Sequence, residues 1–222
     1  MKSRDLQIVK DLERFRVMSR DDITDLYFSH LKNPITNANT ALKRLVRDKQ
    51  IDVSTSYRPY VYFPAGSTMK RNSTKIPHFL EIVDVYKQIK SYDNPKIFTV
   101  EPKYKKGLAE PDVFAIFKGS PFFIEIQRNV YSQEVMNKKI QRYEALFHSG
   151  ELLSEPWQKE EKVFPFIIMI TDTRYEIESD VLKVFQVPSI NHFMQNALNQ
   201  PKRKREVKKQ RSSNGGIKLN LN

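Results

Sequence analysis

Hydrophobic positions along the chain change period several times, and each change marks an element. Leu6, Val9, Leu12 and Phe15 recur at helical spacing over 2–16. Ser19 precedes RDDITDLYF, which predicts an N-cap followed by acidic side chains in the first turn, where the helix dipole favours them. Ile23, Leu26 and Tyr27 supply the apolar face of that second helix. LKNPIT reads as a turn. A third helix follows over about 37–49, with Ala38, Ala41, Leu42 and Leu45 inward. IDVSTS and YVYFP then flank Tyr57-Arg58-Pro59 as a short β-hairpin. Three helices and a hairpin predict a winged helix-turn-helix over 1–64, its third helix in the major groove and its hairpin as the wing. The same pattern also serves small protein-docking domains.

Residues 65–75 are polar and turn-rich, as a linker would be. From Ile76 the pattern changes. An amphipathic helix over 77–91 carries Phe79, Leu80, Val83, Tyr86 and Ile89. Three strand candidates follow: IFTVE (97–101), DVFAIF (112–117) and FFIEIQ (122–127). A helix over 132–147 precedes the apolar strand VFPFIIMIT (163–171). A helix near 177–183, the strand VFQV (184–187) and a helix over 189–198 complete the pattern. This order predicts an α/β (α+β) unit over 76–200, a mixed central sheet with helices on both faces. Residues 201–222 have no core-forming pattern and are expected to be a disordered basic tail.

Composition narrows the function. Hydrophobic residues make up 39% of 222 positions, enough for a packed core, which excludes full disorder. No run approaches eighteen apolar residues, so no membrane partner is expected, and the charged N-terminus lacks a signal-peptide core. The absence of cysteine excludes disulfides, thiolate zinc sites and a cysteine nucleophile, and fits a reducing cytoplasm. The net charge is +12 and is segregated. Residues 1–70 carry 13 basic and 8 acidic side chains, 71–200 carry 17 of each, and 201–222 carry 8 and 1. Basic ends around a neutral middle predict double-stranded DNA as a partner. Thr36, Asn37, Asn39 and Thr40 suit phosphate and base-edge contacts at a helix N-terminus. Lys43, Arg44 and Arg47 lie near the outer face of that helix, and Arg58 lies at the wing tip. Lys202, Arg203, Lys204 and Arg205 would track the DNA backbone, unless the tail is only a solvated terminus.

Lys118-Gly119-Ser120-Pro121 is a tight turn between two strands. A Gly119-Ser120 loop of type II′ sets Ala115 opposite Ile124, Phe114 opposite Glu125 and Asp112 opposite Gln127. Asp112, Glu125 and Gln127 then share one face, with the two carboxylates diagonal neighbours at roughly 7–8 Å. Carboxylates so placed can converge on one Mg²⁺ or Mn²⁺. Glu125 also interrupts an apolar strand, which is costly unless it is paired, binds metal or faces water.

Pro111-Asp112 followed by Glu125-Ile126-Gln127 resembles the PD-(D/E)XK signature of restriction-endonuclease-like nucleases, whose core has the order α-β-β-β-α-β. Over roughly residues 5–190 the chain also resembles the bacterial replication-relaxation family of plasmids and mobile elements. That family joins a winged helix-turn-helix to a nuclease-like domain. Pro77-His78, Asp84-Val85-Tyr86, Glu101, Glu110-Pro111-Asp112, Phe123-Ile124-Glu125-Ile126 and Arg142-Tyr143 carry the likeness. The resemblance implies a bacterial cytoplasmic DNA-binding protein that cleaves or nicks DNA, with Asp112 and Glu125 as metal ligands and Glu101 as a further acidic residue. Gln127 stands where lysine is usual and lacks the charge that helps activate water. Lys138 or Lys139 would have to supply that charge, although a solvated helix face is their simpler role. An inactive transcriptional regulator or a replication or mobilisation accessory factor is therefore the alternative.

Other residues look structural. Glu81 is expected in solvent, His78 as a helix cap and Tyr143 in the core. No glycine-rich phosphate loop occurs, so no nucleotide cofactor is expected. Winged-helix regulators are often homodimers, but no heptad run marks an interface here.

Overall fold

Each of the first three helices carries one buried stripe, and the stripes converge. α1 (Ser3–Phe15) buries Ile8, Leu12 and Phe15; α2 (Arg20–Tyr27) buries Ile23; α3 (Pro34–Arg47) buries Ala38, Ala41, Leu42 and Leu45. A computed structural model describes residues 2–199 of the chain. Ser19 caps α2 as expected, in a reciprocal box: Asp22 N–H donates to Ser19 Oγ and Ser19 N–H to Asp22 Oδ2, both at 3.0 Å. α3 begins at Pro34, before the expected 37, because proline's fixed φ suits a first turn that needs no N–H from it. Thr36 and Asn37 therefore lie in its first turn. β2 (Ile51–Ser54) and β3 (Val61–Pro64) form the expected hairpin. An additional short strand, β1 (Met18–Ser19), pairs antiparallel with β3.

The remaining strands form one mixed sheet in chain order: β4 (Ile97–Val100), β5 (Val113–Phe117), β6 (Ser120–Ile126), β7 (Phe166–Ile170) and β8 (Val184–Val187). β4, β5 and β6 are antiparallel; β6, β7 and β8 are parallel. Successive side chains point to opposite faces, which splits the core. Val113, Ala115, Ile124 and Ile126 pack with α4 (Ile76–Tyr92) and α6 (Ile190–Asn199). Phe114, Phe123, Ile167 and Met169 pack with α5 (Gln133–Ser149).

The predicted helix near 177–183 does not form. Residues 172–183 run as irregular chain. Gln186 holds this loop to β8 instead: Tyr175 N–H donates to its Oε1 at 2.7 Å, and its Nε2 donates to the Tyr175 carbonyl at 2.9 Å. Ile177 and Leu182 dock on the α5 side of the core.

One apolar cluster runs from Ile8 in α1 to Met194 in α6, so the residues before and after 65–75 share a core. Phe15 of α1 lies 5.2 Å from Tyr86 of α4 and 5.9 Å from Phe98 of β4, centroid to centroid. The Arg14 guanidinium covers Phe15 and Tyr86 at 4.5 and 4.6 Å. Arg16 pairs with Glu101 at 2.7 Å, and Lys87 of α4 pairs with Asp22 of α2 at 2.7 Å. Among the described residues, no helix is long and apolar enough to cross a membrane.

This junction predicts cooperative unfolding. Phe15→Ala is expected to cost about 3–5 kcal/mol. The loss should appear equally in far-ultraviolet circular dichroism and in the fluorescence of Trp157, the single tryptophan, which packs 5.1 Å from Phe114 in the far unit. Separate transitions would instead mark two independently folding units.

Candidate functional site

Burying Ala38, Ala41, Leu42 and Leu45 turns the other side of α3 outward. Thr36, Asn37, Thr40, Lys43 and Arg47 are exposed there, and Asn39 is half-buried. Asn37 Nδ2 donates to the Asn33 carbonyl at 2.7 Å, and Thr40 Oγ1 to the Thr36 carbonyl at 2.9 Å. Arg44 departs from the expected outer face. Its guanidinium reaches back to the buried Asp5 of α1 at 2.5 Å, so it ties two helices together. Position 44 flanks the buried stripe, and a buried carboxylate needs a partner. Arg47 pairs with Asp48 at 2.9 Å.

Between α3 and the hairpin lies a groove of about 500 Å³, lined by Arg20, Asn39, Lys43, Thr55, Arg58 and Tyr60 together with apolar side chains. Among the described residues no carboxylate lines it, although Arg20 pairs with the flanking Asp21 at 2.7 Å. Arg58 stacks over Tyr60 at 4.7 Å and donates to the carbonyls of Thr55 and Tyr57, which holds its cation at the hairpin tip. Lys202, Arg203, Lys204 and Arg205 lie outside the described residues.

A second cluster forms where β5 and β6 end. The β5–β6 turn falls on Lys118-Gly119, both at positive φ (48° and 77°). Phe117 therefore faces Ser120, Ala115 faces Phe122, and Phe114 faces Phe123. The expected register is off by two: position 112 falls opposite Glu125, and Gln127 is not its partner. The cause is tertiary. Asp93, just beyond α4, accepts the Lys118 N–H at 2.5 Å and holds the turn one residue earlier. A shift of two leaves every side chain on its expected face.

Asp112 Oδ2 accepts the Ile126 N–H at 2.7 Å, and its Oδ1 lies 3.2 Å from His78 Nε2. His78 thus links α4 to the sheet end and does not cap the helix. Its bond to Asp112 raises its pKa above the ordinary histidine value, with burial opposing. Glu125 is 2% exposed. Its Oε2 accepts from Lys139 Nζ and its Oε1 from the Tyr143 hydroxyl, both at 2.6 Å. Burial pushes the Glu125 carboxyl up, against the Lys139 charge. Burial works against the Lys139 ammonium too, but the Glu125 charge and hydrogen bond outweigh it. Tyr143 is core, as expected, yet its hydroxyl is also a Glu125 ligand. Lys139 is not on a solvated face: positions 139 and 143 lie one helical turn apart and reach the same carboxylate. Lys138 pairs outward with Glu134 at 2.7 Å.

The other predicted members are dispersed. Gln127 approaches Met136 Sδ at 3.9 Å, and its Oε1 is buried without a hydrogen-bond donor among the described residues. Glu101 ends β4 at φ 44° and turns to Arg16 of the N-terminal unit. Glu81 is only partly in solvent; it pairs with Arg128 at 3.3 Å, and burial raises its carboxyl.

Asp112 and Glu125 are the residues that would hold the Mg²⁺ or Mn²⁺ that the motif implies. As arranged they do not fit one. All four of their oxygens have protein partners, and the Lys139 ammonium already sits on Glu125. Like unit charges 4 Å apart repel by roughly 4 kcal/mol at an effective dielectric of about 20, and a divalent ion would meet more. No group of three His, Asp or Glu side chains gathers for a metal among the described residues.

Two outcomes follow for stability. Tyr143→Phe should cost about 1–3 kcal/mol in denaturant unfolding, because a buried carboxylate loses a donor. The raised His78 pKa means that its protonated form stabilises the folded chain. That contribution is complete below the ordinary histidine pKa and is lost as pH rises through the folded-state value. Thermal melting should therefore fall from about pH 6.5 upward, and His78→Gln should flatten that segment.

No protein-family model matches the chain, and no curated protein and no solved structure matches it.

Proposed function

We propose that this chain binds double-stranded DNA through α3 and the β2–β3 hairpin, acting as a winged helix-turn-helix. In this reading the α/β unit is a nuclease-like scaffold that does not cleave. The observation that carries it is the groove between α3 and the hairpin, whose described lining holds Arg20, Lys43 and Arg58 and no carboxylate, Arg20 being paired with the flanking Asp21. Phosphates are attracted to such a surface and to the N-terminal amides of α3, where Thr36 and Asn37 are exposed. Asn39 and Lys43 have side-chain chemistry that suits base edges. The net charge of +12 adds sequence-independent affinity. The order of elements and the resemblance to the replication-relaxation family support a role as regulator or as replication or mobilisation accessory factor of a mobile element.

A second reading, metal-dependent cleavage, rests on Asp112 and Glu125 occupying opposed positions. Gln127 in place of lysine and the Lys139–Glu125 pair weigh against it.

Supercoiled plasmid tests both. Wild type and Asp112→Ala are compared in Mg²⁺, Mn²⁺ and chelator, with retardation and topology scored on one gel. Retardation by both proteins with intact plasmid is expected. Metal-dependent nicking that disappears in Asp112→Ala would replace the scaffold reading by the nuclease one. Lys43→Ala and Arg58→Ala should each weaken binding and reduce the slope of log affinity against log salt by about one. Arg44→Met should lower stability and leave that slope unchanged, because Arg44 is engaged with Asp5.

A further inference from the structure

We propose that the connection 65–75 is a cationic strap fixed to the far face of the β2–β3 hairpin, and that its Lys70 and Lys75 bind DNA phosphates on the side of the hairpin away from α3. The inference rests on the DNA-binding reading above and deepens it, because it gives the same hairpin a second row of phosphate contacts.

Side-chain alternation gives the hairpin two faces. Val53 and Tyr62, which face each other across the strands, line the groove against α3. Asp52 and Phe63 are the next opposed pair and therefore point to the other face. Arg71 is held there. Its guanidinium pairs with Asp52 at 2.7 Å and lies 4.3 Å from the Phe63 ring centroid, and its carbonyl accepts from Ser54 Oγ at 3.4 Å. β2 is the outer strand of its sheet, so the strap also covers an edge. Turn bonds fix the rest of it. Ser67 N–H donates to the Pro64 carbonyl at 3.1 Å, Ser73 N–H to the Lys70 carbonyl at 3.0 Å, and Lys75 N–H to Ser73 Oγ at 3.2 Å. A stretch with the composition of a linker is thus pinned along the wing.

The strap divides its cations by direction. Arg71 is half-buried and turns its charge inward, whereas Lys70, Asn72 and Lys75 are exposed. Among the described residues, Arg71 alone of the three cations meets a carboxylate. Duplex geometry supplies a ligand for the other two. The minor groove is about 6 Å wide and has a phosphate strand along each wall. A hairpin tip that enters it, with α3 in the adjacent major groove, meets one of those strands on its α3 side and the other on its opposite side. Lys43 and Arg58 suit the first strand, and Lys70 and Lys75 are placed for the second. Because Arg71 already orders the backbone that carries them, less chain freedom is lost when they bind.

The test uses the full chain and a linear duplex of mixed sequence. Affinity is measured across a salt series, and lysine acetylation is mapped by mass spectrometry with and without DNA. Wild type is compared with Lys43→Ala, with Lys70→Ala combined with Lys75→Ala, and with Asp52→Ala. The double variant should reduce the slope of log affinity against log salt by about two and weaken binding about tenfold or more. DNA should protect Lys70 and Lys43 from acetylation and leave Lys159 reactive, since its loop packs Trp157 on the α5 side of the sheet. Asp52→Ala removes a negative charge, which by charge alone would strengthen binding. Because it releases Arg71, it should weaken binding instead. Both lysines are exposed, so the double variant keeps the test decisive even if Asp52→Ala fails to fold. An unchanged slope in the double variant beside a reduced one in Lys43→Ala overturns the strap and leaves the α3 groove standing. The reverse pattern supports the strap and overturns the groove. Tighter binding by Asp52→Ala overturns the strap as a fixed contact, and a wild type that does not bind the duplex overturns both.

Discussion

Phe15 sits at the contact on which the rest of the molecule depends. It ends α1, is fully buried, and packs against Tyr86 of α4 and Phe98 of β4. Through it the apolar core of the three-helix unit becomes continuous with one face of the five-stranded sheet. The polar connection 65–75 therefore joins units that are already packed together. Arg14 and Arg16 complete the junction, one lying over aromatic rings and the other pairing with Glu101. The orientation of α3 relative to the sheet is set by this packing rather than by linker length. α3 and the α/β unit are thereby held in one fixed geometry.

The sheet's other constraint is electrostatic. An acidic side chain inside β6 would destabilise the fold if left alone. Lys139 and Tyr143 offset that cost from α5, and the α5 crossover is thereby fixed to the middle strand of the sheet by charge as well as by Met136, Ile140 and Leu146. Removing one partner from such a buried pair costs more than the pair contributes. Asp112 is held in the same way, by a backbone amide and by His78 of α4. From one hairpin face the two carboxylates thus reach different helices, Asp112 to α4 and Glu125 to α5, which cover opposite sides of the sheet.

The two candidate surfaces contrast in how their charge is used. Around the α5 cluster, cations and anions are matched within the protein. Along the α3–hairpin groove, Arg20 is paired with Asp21 and Arg58 is held by backbone carbonyls, while no carboxylate of the described residues lines the groove beside Lys43 and Arg58. A surface that carries cations and no carboxylate in its lining attracts an external anion. A cluster that satisfies itself is suited to holding structure.

Periodicity and local chemistry carried much of this in the sequence. The buried stripes of α1, α2 and α3, the Ser19 capping box, the β2–β3 hairpin and the mixed sheet order are short-range or pattern-level properties, and they were legible. So was the pairing of Asp112 and Glu125 on one hairpin face, since a register error of two keeps the face. What the chain alone did not reveal rests on contacts between distant positions. Asp93 shifted the β5–β6 turn, Asp5 drew Arg44 inward, and Glu125 drew Lys139 off a face that looked solvated. Asp112 gave His78 a role other than capping, and Gln186 of β8 ties down the irregular 172–183 segment at Tyr175. Local spacing decides which side of an element is apolar; only the packed fold decides which buried charge lies within reach of another.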